Sequence, residues 1–360
     1  MRAPAELIEI STRHATHYER LKSHEVKSFD NFLVMLDEDL RKQLSKHDIT
    51  EFTRARLEKQ LALIQETIRG VYQDYSKEWH KIIFDAALYE AEFEKKSLDK
   101  VVINHEFTLP TEGQINAAVF GRPLSVEGIN GGALLDRFFQ QLPDNTVKRV
   151  EGAIRMGFAQ GQTTQQVITR IRGTAKAKYT DGLLALSKRD AELIARTALQ
   201  HASNQAKQAT WEDNSDIVTG VKWVSTLDSR TSNTCRSFSG KIFPLDEGPR
   251  PPAHLSCRST TVSVLDERFK ILEEGGTQAA RDADGKVISV DANETYYSWL
   301  KRQGSSFQDS VIGPTRGKLL RNGGLSAERF AELNLNRDFS PATLQEMRGM
   351  EPLAFERAGL

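Results

Sequence analysis

Apolar side chains fall on a helical stripe in the N-terminal part of the chain. Leu57, Leu61, Ile64, Ile68, Val71 and Tyr75 recur at spacings of 4, 3, 4, 3 and 4, which places them on one face of a helix. A second stripe runs from Trp79 through Ile82, Ile83, Ala86 and Ala87 to Phe93. Gly and Pro are nearly absent from this stretch, so residues 1–105 read as long helices, paired antiparallel. Asp48 and Glu51 have capping-box spacing and predict the start of one of them. The seam serves either as a core face or as a coiled-coil contact with a partner helix.

The pattern changes between Phe107 and Gly132, where LPTEG, FGRP and INGG bring in Pro and Gly. Such residues punctuate structure, and residues 106–145 read as a linker with short helices. Helices are expected at Ala133–Phe139 and Asn145–Gln160, and a short amphipathic one in GQTTQQVITRIRG. Ser187 and Asp190 predict a capped start for a helix running to about Trp211. Its inner stripe is Ile194, Ala198, Ala202, Ala206 and Ala209. Such small side chains let other elements approach closely, so this helix is expected at the centre.

The period then shifts to two. Val221, Trp223 and Leu227 alternate with Lys222, Thr226 and Asp228, as in a half-buried strand. Gly240–Phe243 and Ser259–Leu265 are further strand candidates, and KVISV follows an Asp284-Gly285 turn. Asp291 to Glu294 is expected to cap the helix that carries TYYSWLKRQ. The fold class is therefore α+β, predominantly helical, with a small β element around 220–265. Residues 146–265 are read as one domain and 266–360 as a short strand and helical tail.

Composition narrows the picture. Of 360 residues, 39% are hydrophobic and 27% charged, as in a globular protein. No apolar run has the length of a membrane span, and the N-terminus lacks a signal-peptide core, so cytoplasmic synthesis and no membrane partner are expected. The 49 basic and 49 acidic side chains cancel overall, but not locally. Between Lys148 and Arg189, nine Lys or Arg stand against Glu151 and Asp181, which is 9 − 2 = +7. Arg170, Arg172, Lys176 and Lys178 are the candidate contacts to nucleic acid. No base-reading motif accompanies them, so any DNA binding would be sequence-independent.

The only two cysteines, Cys235 and Cys257, lie in one stretch with His254. Four readings compete. Zinc would take Cys235, His254 and Cys257, with Asp228 or His201 as the fourth ligand. A Cys235–Cys257 disulfide would require oxidising conditions. A Cys–His nucleophile would need an oxyanion device, and none is evident. The fourth reading makes the thiols and histidine fastenings between a loop and a sheet. It is preferred, and no catalytic residue is assigned. Asp228, at a strand end, is expected to accept backbone N–H bonds from the next turn or to pair with Arg258. Pro251 and Pro252 predict an extended run ahead of His254.

Taken in order, DAELIARTALQHASNQA, WVSTLDSRT with a following Cys, GKIFP and PPAHLSCR resemble the phage head morphogenesis family, the Mu F-like minor head proteins of tailed bacteriophages. The resemblance spans roughly Ser187 to Val264, with Trp223, Asp228, Arg230, Thr231, Cys235, Gly240, Pro252, His254, Cys257 and Arg258 as its motif residues. YYSWLKRQGSSFQDSVIGPTRGKLL is similar to the segment that follows the domain in such proteins. Ser232 and Ser259 stand where relatives carry further cysteines, and Ala198 where an acidic residue is common. The resemblance implies a virion component inside the capsid at the portal vertex, made in the host cytoplasm. It would act in head assembly and in DNA packaging or ejection, with the portal and other head proteins as partners. The other classes are a non-specific DNA-binding virion protein and an enzyme or toxin carrier of the Mu F-like type.

Overall fold

The computed structural model describes residues 3–46, 48–128, 131–269 and 275–360. Ile129 and Asn130 of the INGG turn lie outside them. Two long helices open the chain, α1 (Ala5–Leu44) and α2 (Arg54–Val101). They run antiparallel: His14 faces Glu90, the Phe29 ring packs tilted against Tyr75 with centroids 4.5 Å apart, and Gln60 reaches the Gln43 carbonyl. Leu57, Leu61, Ile64, Ile68 and Tyr75 are all buried, so the seam is a core face within the chain. The helix start differs from expectation. Asp48 accepts from the Thr50 N–H in a separate 3-10 turn (Ile49–Glu51), and Thr53 caps α2.

The Pro- and Gly-containing region holds a helix not foreseen as such, α3 (Glu112–Gly121), opened by a capping box between Thr111 and Gln114. Then come α4 (Leu135–Phe139), α5 (Gln141–Ala159) and α6 (Thr164–Arg172). The central helix is α7 (Leu183–Glu212). Its N-cap is Gly182, five residues before the expected Ser187 cap, and Ser187 lies buried, where it accepts a hydrogen bond from Thr146. Every residue of α7 from Thr197 to Trp211 is buried. α1, α2, α3 and α5 pack around it, which the alanine stripe permits. Residues 1–105 and this helical region share one continuous hydrophobic core.

A three-stranded antiparallel sheet follows, with β1 (Val218–Val224) between β2 (Ile242–Pro244) and β3 (Thr260–Leu265). The short helix α8 (Asn233–Phe238) lies between β1 and β2 in the chain. Leu227 falls beyond β1 and bridges to Ala280 in β4 (Thr277–Arg281), a strand not anticipated, which pairs with β5 (Val287–Asp291). The tail is helical: α9 (Tyr296–Lys301), α10 (Ser305–Ile312), α11 (Pro314–Asn322), α12 (Ala327–Leu333), α13 (Leu344–Met350) and α14 (Pro352–Arg357). Thr295, with Ser298, caps α9 in place of the expected Asp291–Glu294 segment. These helices enclose their own cluster around Tyr296, Trp299 and Phe330.

Candidate functional site

Four chain segments meet at the motif: the end of β1, α8, the turn before β3, and α9. Asp228, just beyond β1, is 2% exposed. Arg258 grips it with two bonds, Nη1 to Oδ2 at 2.6 Å and Nη2 to Oδ1 at 2.8 Å. Oδ1 also accepts from the Arg230 backbone N–H at 3.0 Å and from the Thr231 hydroxyl at 3.2 Å. Burial alone would raise the Asp228 pKa, but the Arg258 bonds outweigh it and hold the carboxyl below its usual range. With its acceptor positions taken, this carboxylate is a fastening and not a free base. The pair borders a cleft of about 240 Å³ between α1, the end of β1 and the β4–β5 hairpin.

Trp223 is buried in β1 and donates from Nε1 to the Ser225 hydroxyl at 3.0 Å, which in turn bonds the Cys235 carbonyl. Ser232 caps α8 by accepting from the Cys235 N–H. Gly240 turns the chain from α8 into β2 at φ +85°, where an added Cβ would lie 2.7 Å from Thr295 Cγ2. The Pro251–Pro252 peptide ahead of His254 is cis.

Cys235, His254 and Cys257 come together. Cys235 Sγ lies 3.2 Å from His254 Nε2 and 3.6 Å from Cys257 Sγ. His254 Nδ1 lies 2.9 Å from the Leu255 carbonyl. The Cys235 bond, with His254 behind it, pulls the Cys257 thiol well below its ordinary range against the effect of burial. The bond to Cys257, reinforced by burial, pushes Cys235 up. His254 is raised by its bond to Cys257. Neither suggested fourth ligand joins them. Asp228 is held by Arg258, and His201 bonds the Val119 carbonyl at 3.1 Å, its pKa pushed down to about 4 by burial.

Several residues of the site escaped the sequence reading. The Tyr296 hydroxyl bonds the Asp228 carbonyl at 2.8 Å, its N–H bonds the Ser239 hydroxyl, and Arg236 reaches the Val311 carbonyl. All three contacts join the motif to the C-terminal helices. TYYSWLKRQ was legible as a helix, but its packing partner was not.

Part of the basic segment is answered by acids of the long helices. Arg155 pairs with Glu58, Arg172 with Asp37 and Lys188 with Asp30, while Arg149 pairs with Asp190 of α7. Arg172 also lies over the Tyr179 ring. Of the four candidate DNA contacts, Lys176 and Lys178 are exposed, whereas Arg170 and Arg172 are half-buried.

Residues 148–262 match the family described as Phage Mu protein F like protein. This segment is a Mu F-like domain. The match covers under half of the chain, taking in α5 (in part), α6, α7, β1, α8, β2 and the start of β3. No curated protein and no solved structure matches. Among the described residues, no helix is long and apolar enough to cross a membrane.

Proposed function

We propose that this chain is a minor head protein of a tailed bacteriophage, bound at the portal vertex and acting in head assembly and in DNA packaging or ejection. The observation that carries this reading is the Mu F-like domain over residues 148–262. The character of its motif supports a structural role, since Asp228, Arg258 and Cys235 are engaged with one another's segments. Purified particles test it: the chain should be present in few copies and cross-link to the portal protein. Its absence from both procapsids and virions would defeat the proposal.

The long helices are the part we assign to the portal contact. Deleting residues 1–105 is not a clean test, because α1 and α2 complete the core around α7. Their outward surface offers Met35, 53% exposed, and Leu63, 41% exposed, beside one shared groove. A full-length Met35→Glu/Leu63→Glu variant is expected to fold normally and to lose portal co-purification. Undiminished capture would move the contact to another face.

Contact with packaged DNA is the companion proposal, and we centre it on the exposed Lys176 and Lys178, since Arg170 and Arg172 are half-buried. Binding should be sequence-independent and weaken steeply with salt through counterion release. Lys176→Gln/Lys178→Gln should lower the slope of log affinity against log salt by about 2, near 0.9 per phosphate contact. Arg172→Gln should instead act mainly by loosening the Asp37 contact. An unchanged slope in the double lysine variant would leave these residues as a solvated face.

A further inference from the structure

We propose that Cys235, His254 and Cys257 form a binding site for a thiophilic metal ion, zinc above all, whose fourth corner is completed by water. The three donor atoms lie within 4.8 Å of one another. With bonds of about 2.3 Å to sulfur and 2.0–2.1 Å to nitrogen, a tetrahedral zinc site has S···S edges of about 3.8 Å and S···N edges of about 3.6 Å. The observed separations are 3.6 Å between the sulfurs and 3.2 Å from Cys235 Sγ to His254 Nε2. A slight expansion about a common centre therefore converts this cluster into a coordination shell. A disulfide would instead require the sulfurs to close to about 2.05 Å.

The backbone prepares the ligands. Cys257 N–H bonds the His254 carbonyl at 3.1 Å, so residues three apart are folded into one tight turn. Ser256, inside it, adopts φ +55°, and its N–H is held by the Thr197 hydroxyl of α7 at 3.0 Å. The Leu255 carbonyl accepts from His254 Nδ1 and so leaves the Nε2 lone pair facing the thiols. Metal-bound histidines are oriented in this way, their second nitrogen donating to a carbonyl or carboxylate. Two thiolates and an imidazole form a donor set suited to zinc. Cys235 and Cys257 are each 1% exposed, while His254 is half-buried and forms the open side. A metal here would tie α8 to the turn that feeds β3, across the centre of the Mu F-like domain.

The test uses the full-length chain purified in reducing buffer without chelator. Elemental analysis should find stoichiometric zinc. Cobalt(II) exchanged into the site should give thiolate-to-cobalt charge-transfer bands and the visible bands of tetrahedral coordination. Cys257→Ser and His254→Ala should each bring bound metal to background and lower the melting temperature. If these variants fail to fold, chelator titration of the native chain gives the second readout. It should strip the zinc, lower the melting temperature and expose two titratable thiols, and added zinc should reverse all three. A zinc-free chain whose stability ignores both zinc and chelator would overturn the proposal. So would an intact mass showing a Cys235–Cys257 disulfide in the natively folded protein.

Discussion

Replacing Asp228 with alanine is expected to destabilise the protein by about 3 kcal/mol, the lower end of what breaking a buried ion pair costs. The lower end applies because the Arg258 side chain retains 21% exposure and water can partly solvate it. The loss has three parts: the bidentate bond, the Arg230 N–H left without its acceptor (the Thr231 hydroxyl keeps the Thr226 carbonyl), and an uncompensated guanidinium at the cleft. Urea unfolding at neutral pH measures it, and a change below about 1 kcal/mol would mean that the pair is only ornamental. Adding Arg258→Met should cost less than the sum of the two single changes, since one interaction is removed twice. The pH dependence follows from the lowered Asp228 pKa. The contribution is present above the unfolded value of about 3.9 and disappears as pH falls through the folded value. The gap between native and Asp228→Ala proteins should therefore close in acid and not in alkali.

Much of this site was legible because its signals are local. The two-residue period around Trp223, the Gly240–Phe243 strand run and the HxxC spacing each concern neighbours in the chain, and Asp228 was expected either to pair with Arg258 or to cap its own turn. It does both. The helix starts were read less well for a physical reason. Asp48, Ser187 and Asp291 all have capping chemistry, but tertiary packing decided which residue closed the first turn. Ser187 became a buried partner of Thr146, while Thr53 and Thr295 took the cap positions next to two of the expected ones. Long-range pairing was invisible. Nothing in the alternation of β4 shows that Ala280 meets Leu227, and nothing in the +7 segment shows that its charges are answered by Asp30, Asp37 and Glu58. The same holds for the polar residues of α7. Gln200, Ser203, Lys207 and Trp211 look like the outer face of an amphipathic helix until α1, α2 and β3 are placed around them.

That buried polar face carries the last prediction: Glu90→Gln should destabilise the protein by about 3–5 kcal/mol. Glu90 is fully buried in α2 and bonds His14 of α1 and, at 2.7 Å, Ser203 of α7. Its charged neighbour is Lys207 Nζ at 3.9 Å, itself 2% exposed and donating to the Thr260 hydroxyl of β3 at 3.2 Å. One carboxylate thus joins three helices and answers a buried ammonium that also touches the sheet. An uncharged amide leaves Lys207 without that charge in a region of low dielectric. Burial would raise the Glu90 pKa, but the His14 bond and Lys207 outweigh it and the pKa is lowered. Its contribution is therefore present above the unfolded value of about 4.3 and is lost as pH falls through the folded value. Glu94, one turn along α2, has the opposite sign. Burial dominates there and raises its pKa, Trp211 bonds one oxygen at 2.8 Å, and the other has no partner among the described residues. Its contribution is present below the unfolded value of about 4.3 and is lost as pH rises through the folded value, so Glu94→Gln should gain on the native protein as pH rises through that range. Chemical denaturation of the two variants across pH separates these cases, and equal losses at every pH would refute the assignment. Because Glu90 clamps the long helices onto the Mu F-like domain, Glu90→Gln should also lower the yield of assembled heads in step with stability.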